Sequence, residues 1–411
     1  MTILYALTFY AFYVMALGGI AAPFVAAEFG LDDAAITRIA GWISLGAFAT
    51  ALFTRLADRV GRRRVLVLSF AALAPFAGLT ALARGVPSYV LPQIVVNALL
   101  GTLATALAVA VAEEAPDERR ARAQSLFGVY TSFGGALALG LSNAVPRLPT
   151  GWRAFWIVAA LPILAVPLVR ARVLETARFD HARESGRVAA TRARDLFAGS
   201  YRRRALGLLA VSLLKPVSLT AVQTWPFYHM VKTLGLDPAW ATLVYVVGGG
   251  MGLAGNPLGA RLTDQWGRRP TSVVATAVAI ATGAAFFFVP RAASLASVLP
   301  ALIVLMALTQ ITLAASAVAD RCIDAELFPT ALRATYLGVA RLANAAGAVV
   351  AMFALSWLAA PLGGLPLAIA VVSAVTLVPA LVVFVATVPE TRGLTLEHAS
   401  LEDEPLPPRA A

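Results

Sequence analysis

The chain has 411 residues, 59% hydrophobic and 13% charged, about half the charged share of a soluble domain at roughly 25%. Water is therefore not its main solvent. Its net charge of +11 comes with a single cysteine, Cys322, which excludes an intrachain disulfide and a thiolate metal cluster.

In chain order, twelve apolar segments have the length scale of a membrane crossing, about 20 helical residues for a ~30 Å hydrocarbon layer. They are 3–27, 39–56, 65–83, 89–112, 125–144, 154–169, 205–230, 239–262, 271–289, 295–319, 334–359 and 365–387. The first has no basic residues before it and is longer than a signal-peptide core, so it is expected to stay as a span. Arginines concentrate in alternate connections: Arg59, Arg62, Arg63 and Arg64; Arg119, Arg120 and Arg122; Arg268 and Arg269; Arg321 and Arg333. The intervening connections hold few basic residues. By the positive-inside rule the rich side, and with it both termini, faces the cytoplasm of a cell inner (plasma) membrane. The same distribution removes nucleic acid as a partner and leaves the lipid bilayer.

The longest polar interruption, 170–204, is rich in arginine and reads as a cytoplasmic linker able to rest on anionic lipid. It divides an N-terminal bundle, 1–169, from a C-terminal bundle, 205–388. A cytoplasmic tail, 389–411, follows, its last part reading as disordered.

One polar connection occurs twice, half a chain apart: Arg55-Leu56-Ala57-Asp58-Arg59-Val60-Gly61-Arg62-Arg63 and Arg261-Leu262-Thr263-Asp264-Gln265-Trp266-Gly267-Arg268-Arg269. Its glycine permits a tight turn between antiparallel helices, and its aspartate can accept from arginines or cap a helix. Paired halves favour alternating access around a site near the midplane. Expected gating residues are Asp58, Gly61, Arg62, Arg63, Asp264, Gly267, Arg268 and Arg269, with Glu114, Glu326 and Arg333 in the loops after the fourth and tenth spans.

These loops resemble those of the major facilitator superfamily, whose motif after span two runs roughly G-x-L-A-D-R-x-G-R-R. Thr54 and Ala260 stand where that family has its first glycine. Glu113-Glu114-Ala115-Pro116, Glu326-Leu327-Phe328-Pro329, Leu174-Glu175-Thr176-Ala177-Arg178-Phe179 and Pro389-Glu390-Thr391-Arg392-Gly393 resemble further family segments. The resemblance implies an all-α membrane protein, with twelve transmembrane helices in two pseudo-symmetric six-helix bundles. Its sugar, metabolite and aromatic-acid symporter branches are the most similar. Two span-one aspartates of the aromatic-acid branch are here Ala11 and Val14, the span-four arginine is Asn97, and the exporter signature in span five is missing.

Charge inside a bilayer is costly, about 2.5–3.5 kcal/mol on insertion scales, so a retained charge implies a cavity or a partner. Lys215, before the helix-kinking Pro216, and Arg341 are the candidates. No acid is expected deep in a span to neutralise either, which leaves the anionic group of a substrate. Arg341 could instead snorkel to the interface. Gln93, Asn97, Gly101 and Thr105 share one helical face, either a cavity wall or a packing face. Gln223, Trp225, Tyr228 and His229 crowd the outer end of span seven, as site residues or interfacial anchors. Asn344 lies three residues beyond Arg341, and Gln310 in span ten. Asp320, Asp324 and Glu326 are expected at the cytoplasmic end, paired with loop arginines.

The expected substrate-binding set is thus Lys215, Arg341, Asn97, Gln93, Gln223, Asn344, Tyr228 and Trp225. No catalytic group, metal site or cofactor is expected, because the three histidines His181, His229 and His398 assemble no such cluster. The chain reads as a transporter of a small organic solute, an anionic metabolite before a neutral sugar or polyol. A non-transporting sensor is a third reading. Coupling to an ion, or its absence, and the oligomeric state stay open.

Overall fold

The computed structural model describes residues 1–50, 53, 62–114, 120–173, 196–197, 201–291 and 295–393. Every regular element among them is helical, as an apolar solvent demands, since a helix satisfies its backbone polar groups internally. Nine helices among the described residues are long and apolar enough to span a membrane. The other three expected segments are helical but less uniform. The second reaches into undescribed residues, the eighth is interrupted, and the ninth carries the hydroxyls described below. Two compact units result, Met1–Val188 with Val231–Thr242, and Ala189–Met230 with Leu243–Ala411.

The first unit contains α1 (Thr2–Ile20), α2 (Ala22–Glu28), α3 (Asp33–Ser44), α4 (Arg62–Ala81), α5 (Val86–Glu114), α6 (Arg120–Ser142), α7 (Arg153–Ala160) and α8 (Val166–Arg172). Asp32 caps α3 by accepting from the Ala35 amide at 2.7 Å, satisfying one of the donors a helix start leaves over. With no water inside, hydroxyls join helices through spare backbone acceptors. Tyr10 and Tyr13 of α1 donate to the carbonyls of Ala159 (2.9 Å) and Phe155 (2.8 Å). Gly134 brings α6 against the α1 backbone at Phe9 and Tyr13, where a Cβ would collide.

The second unit contains α9 (Tyr201–Thr224), α11 (Gly255–Gln265), α12 (Arg268–Phe286), α13 (Leu295–Glu326), α14 (Thr330–Ala359) and α15 (Leu365–Thr387), while most of α10 (Pro238–Val244) belongs to the first. Helix α12 lies along α13, and α9 packs on α14 and α15. Between α10 and α11 the chain passes through a π turn at Tyr245–Gly249 and a 3₁₀ turn at Met251–Ala254. Val231–Thr242, part of the C-terminal half expected from sequence, groups with the first unit. Its bonds explain this: Lys232 Nζ donates to the Leu31 carbonyl (3.3 Å), and Thr242 Oγ1 to the Leu139 carbonyl (3.2 Å) and Asn143 Oδ1 (3.1 Å). Most of the expected linker, and the tail from 394 onward, lie outside the described residues.

At one end of the first unit, Arg153 holds Glu28 in a two-pronged pair, both bonds 2.8 Å. Trp152 Nε1 adds a third bond at 2.7 Å, and the Arg153 guanidinium lies 4.6 Å from the Trp152 ring centre. The Arg153 hydrogen bond outweighs partial burial and, with Trp152, holds the Glu28 carboxyl below its ordinary 4.5. A carboxylate with a depressed folded-state pKa stabilises above its unfolded value and loses that contribution as pH falls through the folded one. Thermal unfolding in detergent should show wild type more stable than Glu28→Gln near neutrality, with the two curves converging below about pH 4.5. A constant gap across acid pH would contradict the assignment.

Candidate functional site

In the second unit a polar seam runs where α9, α12 and α13 meet. Three helices contribute residues at helical spacing: Ser272 and Thr276 from α12, Ser316 and Asp320 from α13, and Lys215 from α9. Four residues is about one turn, so each i, i+4 pair shares a face. Lys215 Nζ lies 2.5 Å from Asp320 Oδ2 and donates to Ser316 Oγ at 3.0 Å. Ser272 Oγ donates to Asp320 Oδ1 at 2.6 Å. Ser316 Oγ also donates to Asp320 Oδ2 (3.3 Å) and is 2.7 Å from Thr276 Oγ1. The side chains of Lys215 and Asp320 are 14% and 33% exposed, so the pair is mostly enclosed yet reachable.

This corrects two expectations. An acid does stand opposite Lys215, and Asp320 pairs with it rather than with a loop arginine. The reason is the length of α13, 32 residues, which carries Asp320 inside the bundle where the apolar run had suggested the interface. Asp324, also expected on an arginine, accepts instead from the Tyr336 hydroxyl at 3.0 Å.

Two turns along the same helices, about 10 Å at 1.5 Å per residue, lies an open cavity of about 330 Å³. Lys215, Thr276 and Ser316 have their counterparts seven residues away in Val222, Gly283 and Thr309, all in its wall. Gln223, Gln310 and Tyr245 bring polar groups, and Phe286 and Met306 apolar ones. Gln223 Nε2 is buried with no hydrogen-bond partner among the described residues. Gly283 matters for the shape: a Cβ there would sit 3.0 Å from Val222 Cβ.

At the opposite end of the seam the second copy of the repeated connection is built around Glu390, which sequence reading placed only in a resemblance. Glu390 accepts from the backbone amides of Arg268 (2.9 Å) and Arg269 (3.0 Å), a carboxylate at the start of α12 where the helix dipole favours it. Arg268 NH2 bonds Glu326 at 3.3 Å, and Thr391 Oγ1 donates to the other Glu326 oxygen at 2.5 Å. Arg392 donates to the Gln265 carbonyl. Gly267 has φ 113°, and a Cβ there would lie 2.6 Å from Glu390 Oε2, so backbone conformation and space both require glycine.

The remaining candidates are dispersed. Gln93 is buried and donates to Thr80 Oγ1 at 2.9 Å, joining α5 to α4. Asn97 and Gly101 line the α5 face approached by Gly46 and Thr50. Trp225 and Tyr228 are 1% and 0% exposed, packed edge to face at 5.6 Å, which removes the anchor alternative: the span continues past Pro226 to Thr233, with both rings enclosed. His229 is buried against Phe287, 5.1 Å between ring centres. Arg341 and Asn344 are both exposed on the second unit, and so is Asp264. Arg333 donates to the Phe328 carbonyl at 3.2 Å, Arg63 to the Arg170 carbonyl at 2.9 Å, and Glu114 is exposed. Asp58, Gly61 and the Arg62 side chain lie outside the described residues. Sequence reading missed Ser272, Thr276 and Ser316, whose signal was hydroxyls four apart in facing apolar runs.

The family model for the Major Facilitator Superfamily matches residues 2–320. The 3-(3-hydroxy-phenyl)propionate transporter of Escherichia coli is 34% identical over 173 residues, 41% of this chain and 41% of that protein. A probable 4-methylmuconolactone transporter of Cupriavidus pinatubonensis is 26% identical over 380 residues, 90% of this chain and 82% of that one. The aligned stretch thus spans less than half of the first relative. The inward open xylose transporter XylE from E. coli superposes with TM-score 0.71 at 20% identity, covering 98% of each chain, a likeness of fold.

Gly267→Ala should break the Glu390 cradle and lower the melting temperature of purified protein, because the new methyl needs both a strained φ and the carboxylate's space. Glu390→Gln, which keeps shape and loses charge, should fall between it and wild type. An unchanged melting temperature for Gly267→Ala would contradict the geometry.

Proposed function

The chain belongs to the Major Facilitator Superfamily, and on that premise we propose that this transporter carries a small organic acid with an unsaturated or aromatic body across the cell's inner membrane by alternating access. The observation that carries the reading is the seam of the second unit. An amide-bearing cavity stands at one level and a cation two turns away on the same helices. Gln223 Nε2, buried without a partner among the described residues, is a costly vacancy for a hydrogen bond and suits a ligand oxygen. Phe286, Tyr245 and Met306 suit a flat apolar body. Relatives named for a phenylpropionate and a muconolactone support the same class.

In this proposal Lys215 supplies the charge and Gln223 the orienting bond. Arg341, Asn97, Gln93, Asn344, Tyr228 and Trp225 stay as proposed contributors. The repeated connection, through Asp58, Arg62, Asp264 and Arg268, gates the cytoplasmic side, to which the arginine distribution also assigns both termini.

Uptake of labelled 3-(3-hydroxyphenyl)propionate into vesicles holding the purified protein tests the proposal. Saturable uptake is expected, with Gln223→Ala raising KM by about two- to tenfold, the worth of one hydrogen bond. Selective uptake of myo-inositol or xylose in its place would overturn the organic-acid reading and support a carrier of neutral polyols.

A further inference from the structure

We propose that Lys215 and Asp320 form the coupling site of this transporter, exchanging partners so that one substrate anion and one proton load together. The inference rests on the reading of the chain as a carrier of organic anions. It begins from a charge count. The resting pair, an ammonium 2.5 Å from a carboxylate, carries no net charge. An anion that takes the ammonium leaves the carboxylate alone in an apolar bundle, which is costly unless it is neutralised. A proton delivered to Asp320 restores neutrality. Empty and doubly loaded sites are both neutral, whereas a site with only the anion is −1 and one with only the proton is +1. Only the neutral forms cross the membrane's apolar layer at low cost, so the two loads move as a pair. The balance is closed: the Asp320 carboxylate gains one proton from solution, the substrate carboxylate gains the Lys215 ammonium as its ion partner, and no covalent bond other than O–H changes.

The surroundings fit an exchange better than a fixed structural pair. Helix α12 faces Asp320 with neutral hydroxyls, Ser272 directly and Thr276 through Ser316. A hydroxyl can donate to a carboxylate or accept from a carboxylic acid, so Ser272 and Ser316 serve both states. The other charged and titratable groups nearby are Asp324, Arg268, Glu326, Asp264 and Cys322. Asp324, one turn further on the same helix, acts through space on both Asp320 and Lys215 and, held by the hydroxyl of Tyr336 of α14, adds the same charge to every loading state, while Arg268 at the start of α12 is held by Glu326. Asp264 of α11 is exposed, and Cys322 of α13 is partly buried. No second cation replaces Lys215 among the described contacts of Asp320. Access fits as well. Lys215 lies two turns from the substrate cavity on shared helices, and Asp320 is six residues, about 9 Å, from the end of α13 at the expected cytoplasmic side. Anion and proton can thus load together through the cavity from one side and leave together at the cytoplasmic end. Finally, the first unit offers no carboxylate at the span-one positions, where Ala11 and Val14 are 0% and 1% exposed.

Two readouts test this with the full chain in vesicles. The first is infrared absorption at neutral pH, which needs no substrate. Lys215→Gln should gain a protonated-carboxyl band that is absent from wild type, from Lys215→Arg and from Lys215→Gln/Asp320→Asn. A Lys215→Gln spectrum without that band would overturn the proposal. The second is flux of 3-(3-hydroxyphenyl)propionate. Wild type should accumulate it under an inside-alkaline pH gradient. Asp320→Asn should keep exchange of labelled for unlabelled probe and lose the gradient-driven accumulation. Asp320→Asn that still concentrates the probe would overturn the coupling role. If wild type moves no probe, the substrate reading falls, and the infrared result alone decides whether Asp320 takes a proton when Lys215 loses its charge.

Discussion

The constraint on which this structure depends is that a polar group inside a hydrocarbon layer has no water to fall back on. Each one must find a partner within the bundle or be reserved for a ligand. In the first unit the tyrosines of α1 use carbonyls of α7, and Gln93 uses Thr80. In the second unit the same demand gathers three hydroxyls, Ser272, Thr276 and Ser316, around Asp320 and Lys215. What is left over after that pairing is informative. Gln223, an amide whose nitrogen has no partner among the described residues, stands in a cavity wall.

Helices α12 and α13 link three levels of the second unit along one line. Gly283 and Thr309 shape the cavity, Thr276 and Ser316 lead to Asp320, and Arg268 meets Glu326 at the end. Because Ser272 is one turn from Arg268, a change in the state of Asp320 bears on the same short stretch of α12 whose first amides are held by Glu390. The Glu390 cradle therefore shares a rigid element with the proposed coupling site. Gly267 makes that possible by letting the carboxylate reach the amides without a side chain between them.

The architecture was legible because long apolar runs and a repeated polar connection are properties of sequence alone. The chemistry of the seam was less so. Lys215 stood out as a charge beside a proline in an apolar run. Asp320 did not, because the apolar run of its helix ends near it while the helix itself continues to Glu326. Hydropathy marks where lipid contact ends and not where the bundle ends. Glu390 was visible within a motif, but its bonds reach back more than a hundred residues, and no local pattern reveals that. Trp225 and Tyr228 carry the composition of an interfacial belt and are nonetheless buried, because their span runs on to Thr233.

Thermal unfolding of Lys215→Met, Asp320→Leu and the double variant tests the pairing constraint most directly. Each single change should destabilise the protein by up to about 3–5 kcal/mol, since the remaining group must either stay charged without its partner or be neutralised by a shifted protonation. The double change should recover most of that loss, because no charge remains to be neutralised. Losses that simply add in the double variant would show that Lys215 and Asp320 do not depend on one another, and would contradict the account.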